Sequence, residues 1–364
     1  MSGICGLNIK LAIYGESHGK SIGLVLDGLP PGLELDLDKI SKEMARRAPG
    51  QNALSTARKE TDAFEIQSGF FNGYTTGTPL CAVIKNSDQH SKDYSILADK
   101  MRPGHADYAA FVHYKGFNDY RGGGHFSGRL TAPLVLAGAI AKQALAQYGI
   151  VVGAHILSVS DIKEASFNPL GETDELLAEI ANKKFPVMDD VIGEQMQARI
   201  LEAKAELNSV GGVIETLISH IPAGIGMPYF DSLESRLAQA LFSVPAVKGI
   251  EFGDGFDITT KTGAEANDQL HYVDDKIVGY TNHNGGITGG ITNGMPVLFR
   301  VGIKPTPSIS RAQNTVSLKE HADTTLEIVG RHDPCIVQRA VPVIEAVTAW
   351  TVWDLLLESK KWNL

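Results

Sequence analysis

The sequence predicts an α+β fold made of two similar halves, and three observations predict it. Short runs of β-branched and apolar residues, bounded by Gly or Pro, recur along the whole chain with helical patterns between them. A set of local motifs appears twice in the same order. No Pro/Ser-rich or low-complexity linker separates the copies, so the halves belong to one body. The chain has 364 residues, of which 43% are hydrophobic and 21% charged. That is close to globular averages and enough for a large core, which excludes overall disorder.

The strand-like runs are Leu7–Tyr14, Ile22–Leu29, Ala63–Phe71, Pro79–Lys85, Ile150–Val159, Gly212–Ile221, Val247–Gly253 and Pro296–Ile303. Helical spacing places Leu37, Ile40 and Met44 on one face of Asp36–Ala48, which stops at Pro49-Gly50. Thr131–Tyr148 carries small apolar residues nearly all round, the pattern of a buried helix. Asp190–Asn208 aligns Ile192, Met196, Ile200, Ala203 and Leu207. Asp231–Ser243 opens with Asp231 and Glu234, spaced like a capping box. The last helix, Ala340–Lys361, has Pro342 in its first turn.

The repeat pairs Leu-Pro-Pro-Gly (29–32) with Ile-Pro-Ala-Gly (221–224), each before a helix. It then pairs segment 64–70 with 250–256, and 76–79 with 293–296. Segments 124–127 and 330–333 each precede a Pro-started apolar helix. Such a duplication suggests one site between two halves, built from equivalent loops.

Lys+Arg 33 against Asp+Glu 42 leaves a net charge of −9. An acidic chain lacks the cationic footprint for nucleic acid or an anionic membrane, so neither is expected as a partner. Any anionic ligand must then meet a local cluster of Arg or Lys. The 3 cysteines are widely spaced and form no CxxC pair, against a disulfide framework or zinc-thiolate site and in keeping with the cytoplasm. The N-terminus has no basic segment leading into an apolar core, so no signal peptide is expected. The uncharged stretch Thr131–Ala141 falls short of the ~18 apolar residues of a membrane span.

Four segments set polar side chains beside glycines. Gly15–Ser21 resembles a phosphate loop, but only three residues separate Gly15 from Gly19 where a P-loop has four. What is left is Ser17-His18 on a glycine turn. Arg102–Asp107 is a Pro-Gly turn presenting Arg102 and His105. Arg121–Arg129 holds three successive glycines, a potential anion nest, flanked by Arg121 and Arg129 and leading into a helix N-terminus. Segment 330–334 holds Arg331, His332 and Asp333, and Lys304, Thr306 and Ser308 lie on a proline-stiffened loop. Taken singly, each leaves a bland reading open: a histidine capping a turn, or a glycine hinge. No GxGxxG turn or HExxH helix is present, and no histidine spacing points to a metal.

Together these segments resemble the chorismate synthase family over nearly the whole chain. The matching segments, in family order, are 15–19 with 26–30, Arg-Arg-Ala-Pro-Gly (46–50), 102–107, the triple glycine 122–124, 246–256, 304–306 and 331–334. The resemblance implies a layered β-α-β sandwich with antiparallel sheets and an internal pseudo-twofold. This would be a single domain of halves at roughly 1–150 and 211–364, with an intervening helical segment 151–210. It implies an anti 1,4-elimination of phosphate from 5-enolpyruvylshikimate 3-phosphate to give chorismate, requiring reduced FMN without net redox change. His18 and His105 would be the catalytic histidines, one supporting the reduced flavin and one the leaving phosphate. Asp333 would take part in removing the ring proton, positioned by Ser17 and Ser127. The substrate's two carboxylates and phosphate would meet Arg46, Arg47, Arg121, Arg129 and Arg339. Flavin contacts would come from His125, Phe126, Ser127, Pro245, Ala246, Gly289, Lys304, Pro305, Thr306, Pro307, Ser308 and Arg331. The family pattern also implies a homotetramer and a separate flavin reductase, with NADP as the associated nucleotide.

The chain departs from the common family pattern at three places. His125-Phe126 stands where Arg-Ser is usual, Ala53 replaces a basic residue, and Pro245 replaces an Asn. Two other functions share features with this reading. An FMN-dependent oxidoreductase acting on a small anionic substrate would consume NAD(P)H in proportion to product. A non-catalytic phosphate-metabolite binder would need no flavin.

Overall fold

Alternating burial sets the first sheet. Ile22, Leu24 and Leu26 of strand Ser21–Asp27 and Leu80, Ala82 and Ile84 of strand Leu80–Lys85 all point to the core. In the computed structural model, which describes residues 3–50, 60–86, 96–328 and 333–361, these strands pair with Leu24 opposite Ala82. Strands Ile4–Cys5, Lys10–Gly15, Ser21–Asp27, Leu80–Lys85 and Phe64–Ser68 form the sheet in that spatial order, antiparallel throughout.

The second sheet is also antiparallel and five-stranded. Its order is Val247–Phe252, Val297–Ile303, Gly212–Ser219, Val151–Val159 and Ile162–Lys163. Val151–Val159 is buried at nearly every position because both its faces are covered, by the C-terminal helix and by helix Asp174–Asn182. Segment 151–210 therefore supplies a central strand of this sheet as well as helices.

Helix Thr131–Ala146 is buried almost all round, packing on strands of the first sheet and on the C-terminal helix Val337–Lys360. A side chain at Gly138 would meet the Cα of Ala346 at 2.2 Å, so glycine permits this close crossing. The C-terminal helix packs in turn on Val151–Val159 and Gly212–Ser219. Among the described residues it alone is long and apolar enough to span a membrane, and it is buried as a core helix. Its Asp354 accepts hydrogen bonds from the backbone N–H groups of Leu7, Asn8 and Ile9 at 2.7, 2.7 and 2.8 Å, pinning the N-terminal segment. Helices and antiparallel sheets are thus combined as the α+β expectation has it.

Some element ends differ from the sequence reading. Asp36 caps its helix through Lys39 N, as the pattern implies, but Leu37 is exposed. Ser232, not Asp231, caps helix Leu233–Phe242, because Asp231 is used in a preceding single turn. The C-terminal helix starts at Val337, so Pro342 lies inside it. Helix Asp190–Ala205 ends before Leu207, which is exposed at φ +57°.

Candidate active site

A cavity of about 1110 Å³ gathers loops from both ends of the chain. The triple glycine shapes one wall. Gly122, Gly123 and Gly124 have φ of +60°, +84° and +55°, a succession that only glycine adopts without strain. A Cβ at Gly122 would lie 2.2 Å from Nδ1 of His18 and 2.8 Å from Oγ of Ser17. The bare backbone thus makes room for the Ser17-His18 turn directly behind it. Ser17 N–H donates to Gly124 O at 3.1 Å, and His125 Nδ1 lies 2.7 Å from Gly15 O. Ser17 and His18 are buried, and Ser17 Oγ has no hydrogen-bond partner. His125, Phe126, Ser127 and Arg129 reach the cavity itself.

The adjoining wall comes from turn 102–107 and loop 304–308. Asp107 Oδ2 accepts from Arg102 Nε at 2.7 Å, and Oδ1 accepts from Arg102 Nη2 at 2.8 Å. His105 Nδ1 sits 2.7 Å from Asp107 Oδ1 and 3.0 Å from Arg102 Nη2. That nitrogen is fully engaged, leaving Nε2, beside Gly123, for a ligand. Burial opposes ionisation of Asp107, but the hydrogen bonds from Arg102 and His105 outweigh it and hold the carboxyl well below its usual range. Lys304 Nζ donates to Gly104 O, its backbone N–H bonds Ala246 O at 2.9 Å, and Ser308 accepts from Arg102 Nη1 at 3.3 Å. Pro245, Ala246, Lys304, Thr306, Pro307 and Ser308 line this side, while Pro305 lies in the same loop without reaching the cavity.

Three guanidiniums close the polar end. Arg47 and Arg129 both bind Asp62, and Arg129 also meets Glu60 at 3.0 Å. Arg339 pairs with Asp333 at 2.6 Å and donates to Arg47 O at 3.0 Å. Burial lowers the Arg339 guanidinium and Asp333 counters it.

Not every residue singled out from the sequence comes here. Arg46 is turned away, onto Glu345 at 2.6 Å and Glu43 at 2.9 Å. Neighbours on a helix point about 100° apart, so Arg46 and Arg47 cannot share one target. Arg46 instead lines a second cavity of about 1130 Å³ with Lys142. There burial opposes the charge of Glu345, but Arg46 and Lys142 hold it down to about 2. Arg121 pairs with Asp119 at 2.6 Å and is partly exposed. Gly289 sits in an exposed turn between Ile287–Thr288 and Ile291–Thr292, apart from the cavity. Arg331, His332 and Ala53 lie outside the described residues.

The site also uses residues the sequence did not single out. Asp62 and Glu60 pair with arginines, and Tyr114, Phe242 and Trp350 supply an apolar wall. Asp62 meets Arg47 and Arg129 across separations of 15 and 67 residues, so no local pattern announces it. Asp107 lies within the quoted turn motif, where its carboxylate beside His105 was the available signal. Chemically, the cavity offers guanidiniums for a polyanion, an imidazole and a carboxylate for proton movement, and apolar surface for a flat ring.

Known proteins share this architecture along its length. The sequence profile of the chorismate synthase family matches residues 9–357. A chorismate synthase of Pyrococcus abyssi is 45% identical over 360 residues, covering 99% of this chain and 99% of its own. One of Dehalococcoides mccartyi is 45% identical over 359 residues, covering 99% of this chain and 98% of its own. A crystal structure of chorismate synthase superimposes with a TM-score of 0.77 at 27% identity, covering 97% of this chain and 93% of that one.

Proposed function

The chain belongs to the chorismate synthase family, whose members are carbon–oxygen lyases acting on phosphates, and on that premise we propose how its own residues carry the reaction. The substrate is 5-enolpyruvylshikimate 3-phosphate, the products are chorismate and phosphate, and reduced FMN is required without being consumed. The observation that carries this reading is convergence. His105, Ser127, Asp333 and the guanidiniums of Arg47, Arg129 and Arg339 line one cavity although they are spread from residue 47 to residue 339.

The residues present fit both ligands. A volume of about 1110 Å³ exceeds the roughly 300–1,000 Å³ of small-molecule sites, room for a flavin and a substrate together. Thr306 Oγ1 and Trp350 Nε1 line the cavity and, although buried, have no hydrogen-bond partner, as groups awaiting a ligand would. The apolar wall of Tyr114, Phe126, Phe242 and Trp350 suits a planar ring. When bound, reduced FMN supplies reversible donation of electron density to the substrate, which is why no oxidant is used.

Loops 245–246 and 304–308 would hold the flavin, and His105, tied to them through Gly104 and Arg102, would support its reduced form. Arg47, Arg129 and Arg339 bind the carboxylates and phosphate, since a guanidinium matches either group with two parallel hydrogen bonds. His18 is buried behind Gly122 and does not itself line the cavity, so it assists the leaving phosphate from behind the glycine loop. Asp333, paired with Arg339, accepts the ring proton, with Ser127 and Ser17 as positioning groups. Arg46, Arg121 and Gly289 have no part in this cavity as built by one chain.

We also read residues 1–150 and 211–364 as copies of one unit in a layered sandwich related by a pseudo-twofold. In support, each contributes strands of a five-stranded antiparallel sheet and one of the two crossing core helices. A homotetramer is supported by exposed aromatics, with Tyr229 84%, Phe230 93% and Phe256 81% accessible. A cytoplasmic setting is supported by cysteines left free at 5, 81 and 335. A separate flavin reductase, with NADP as its nucleotide, is what the family resemblance implies as the source of the reduced FMN.

The test is anaerobic incubation with photoreduced FMN and the enolpyruvyl substrate. Many phosphates released per flavin, with no NADPH consumed, is the expected result. Release that stops at one per flavin favours net electron transfer instead.

A further inference from the structure

Asp62 occupies an unusual place. Its side chain is fully buried, and it bonds two arginines that line the cavity. Oδ2 accepts from Arg47 Nε at 2.7 Å and from Arg47 Nη2, and Oδ1 accepts from Arg129 Nη1. One carboxylate thus fixes two guanidinium planes. Arg47 is further held by Thr131 Oγ1 at 3.3 Å, and Arg129 by Asn86 Oδ1 at 3.0 Å and Glu60 at 3.0 Å. The backbone pays for this placement: Asp62 has φ +53°, a left-handed conformation that non-glycine residues adopt only where surroundings impose it. Asp62 does not itself line the cavity.

We propose that Asp62 is the positioning residue of the anion site, acting through Arg47 and Arg129 to hold their guanidiniums aimed at the substrate's acidic groups. This rests on the reading of those arginines as substrate ligands. Long flexible cations lose rotamer freedom on binding an anion, and fixing them beforehand removes that cost. Asp62 also opposes their charge, so the two effects of removing it have opposite sign. A mere counter-charge would, once removed, leave the site more positive and tighten anion binding. A positioning group would, once removed, loosen it.

The experiment is steady-state kinetics of the full-length enzyme with Asp62→Asn, Arg129→Lys and the double variant, alongside direct titration of inorganic phosphate. Asp62→Asn is expected to raise KM for the phosphate ester and Kd for phosphate by about 10-fold or more, with kcat within a few-fold, because binding is lost equally in ground and transition states. In the Arg129→Lys background the same substitution is expected to cost much less. Unchanged or tighter phosphate binding in Asp62→Asn, or full additivity in the double variant, overturns the proposal. If Arg129→Lys leaves KM unmoved, the substrate-site reading itself fails, whatever Asp62 does to phosphate. Should Asp62→Asn not fold, wild-type arginine-side-chain NMR decides. Slowly exchanging signals for Arg47 Nε–H and Arg129 Nη1–H, the protons that Asp62 accepts, are expected, and rapid exchange of both rejects the anchor.

Discussion

Arg339 and Asp333 form an ion pair of 2.6 Å at the start of the C-terminal helix, facing the cavity. Arg339 lies in the first turn of Val337–Lys360 and Asp333 just ahead of it, so the same stretch of chain supplies both the carboxylate and the cation that aims it. Their pairing aims the side chain of Asp333, the proposed base, into the cavity beside the arginines proposed to hold the substrate.

Removing that base is the sharpest mutational test. Asp333→Asn is expected to lower kcat by roughly 10²–10⁴-fold, the range of a lost proton-transfer group. Thermal midpoint and flavin affinity should stay near wild type, because the amide keeps the size of the carboxylate. Rapid anaerobic kinetics with a flavin titration checks both, and a wild-type rate would remove Asp333 from the reaction.

The glycine loop carries a second prediction. Gly122→Ala puts a methyl 2.2 Å from Nδ1 of His18 and forces φ +60° on an L residue. The backbone term alone costs on the order of 1–2 kcal/mol. Displacement of His18 should depress turnover far more than this loss of stability suggests. Chemical denaturation beside kinetics separates the two, and a variant of normal activity would show that His18 need not sit there.

Far from the cavity, the second sheet holds a pH-dependent clamp. Buried His155 lies between Glu164 at Nδ1 and Glu215 at Nε2 (3.1 Å), and Arg300 also binds Glu215 at 2.8 Å. Both ring nitrogens face acceptors, so the charged imidazolium is the form that satisfies them. Burial opposes the charge, yet the hydrogen bonds to Glu164 and Glu215 win and raise the His155 pKa above 6.5. Its stabilisation is therefore complete below about pH 6.5 and fades as pH climbs through the raised value. Glu215, lowered despite burial by His155, Phe167 N–H and Arg300, adds the opposite limit, losing its contribution as pH falls below about 4.5. Thermal midpoints from pH 4 to 10 should show wild type exceeding His155→Gln most between those limits. A pH-independent gap would refute the clamp.

The N-terminal anchor makes a stability prediction. Asp354 accepts three backbone N–H bonds from residues 7–9, and hydrogen bonds to a charged group are worth about 1.5–3 kcal/mol each before losses from non-additivity. Asp354→Ala should cost on the order of 3 kcal/mol and speed hydrogen exchange at Leu7–Ile9. Gly3, Ile4 and Cys5 line the cavity, so ligand affinity should fall as well. Unaltered exchange there would contradict the anchor.

Which parts of this were legible in the sequence follows from the range of the interactions. Strands such as Ser21–Asp27 and the all-apolar helix Thr131–Ala146 announce themselves because burial repeats locally along the chain. Glycines and prolines marked the turns that carry Ser17, His18, His105 and Asp333, and of these His105 and Asp333 line the cavity. Arg46 and Arg47 were equally visible, yet one helical step sends only Arg47 to the cavity. Ser232 took the cap that Asp231 seemed to offer, since a turn before the helix shifted the start by one residue. Asp62 and Trp350 were illegible: their significance arises only when distant strands and helices meet.

The most direct measurement is a crystal structure of the chain with FMN and the enolpyruvyl substrate bound. The account predicts the substrate's acidic groups within hydrogen-bond reach of Arg47, Arg129 and Arg339, with the flavin against residues 304–308. Finding the substrate instead in the second cavity beside Arg46 and Lys142, with those three guanidiniums unliganded, would contradict it.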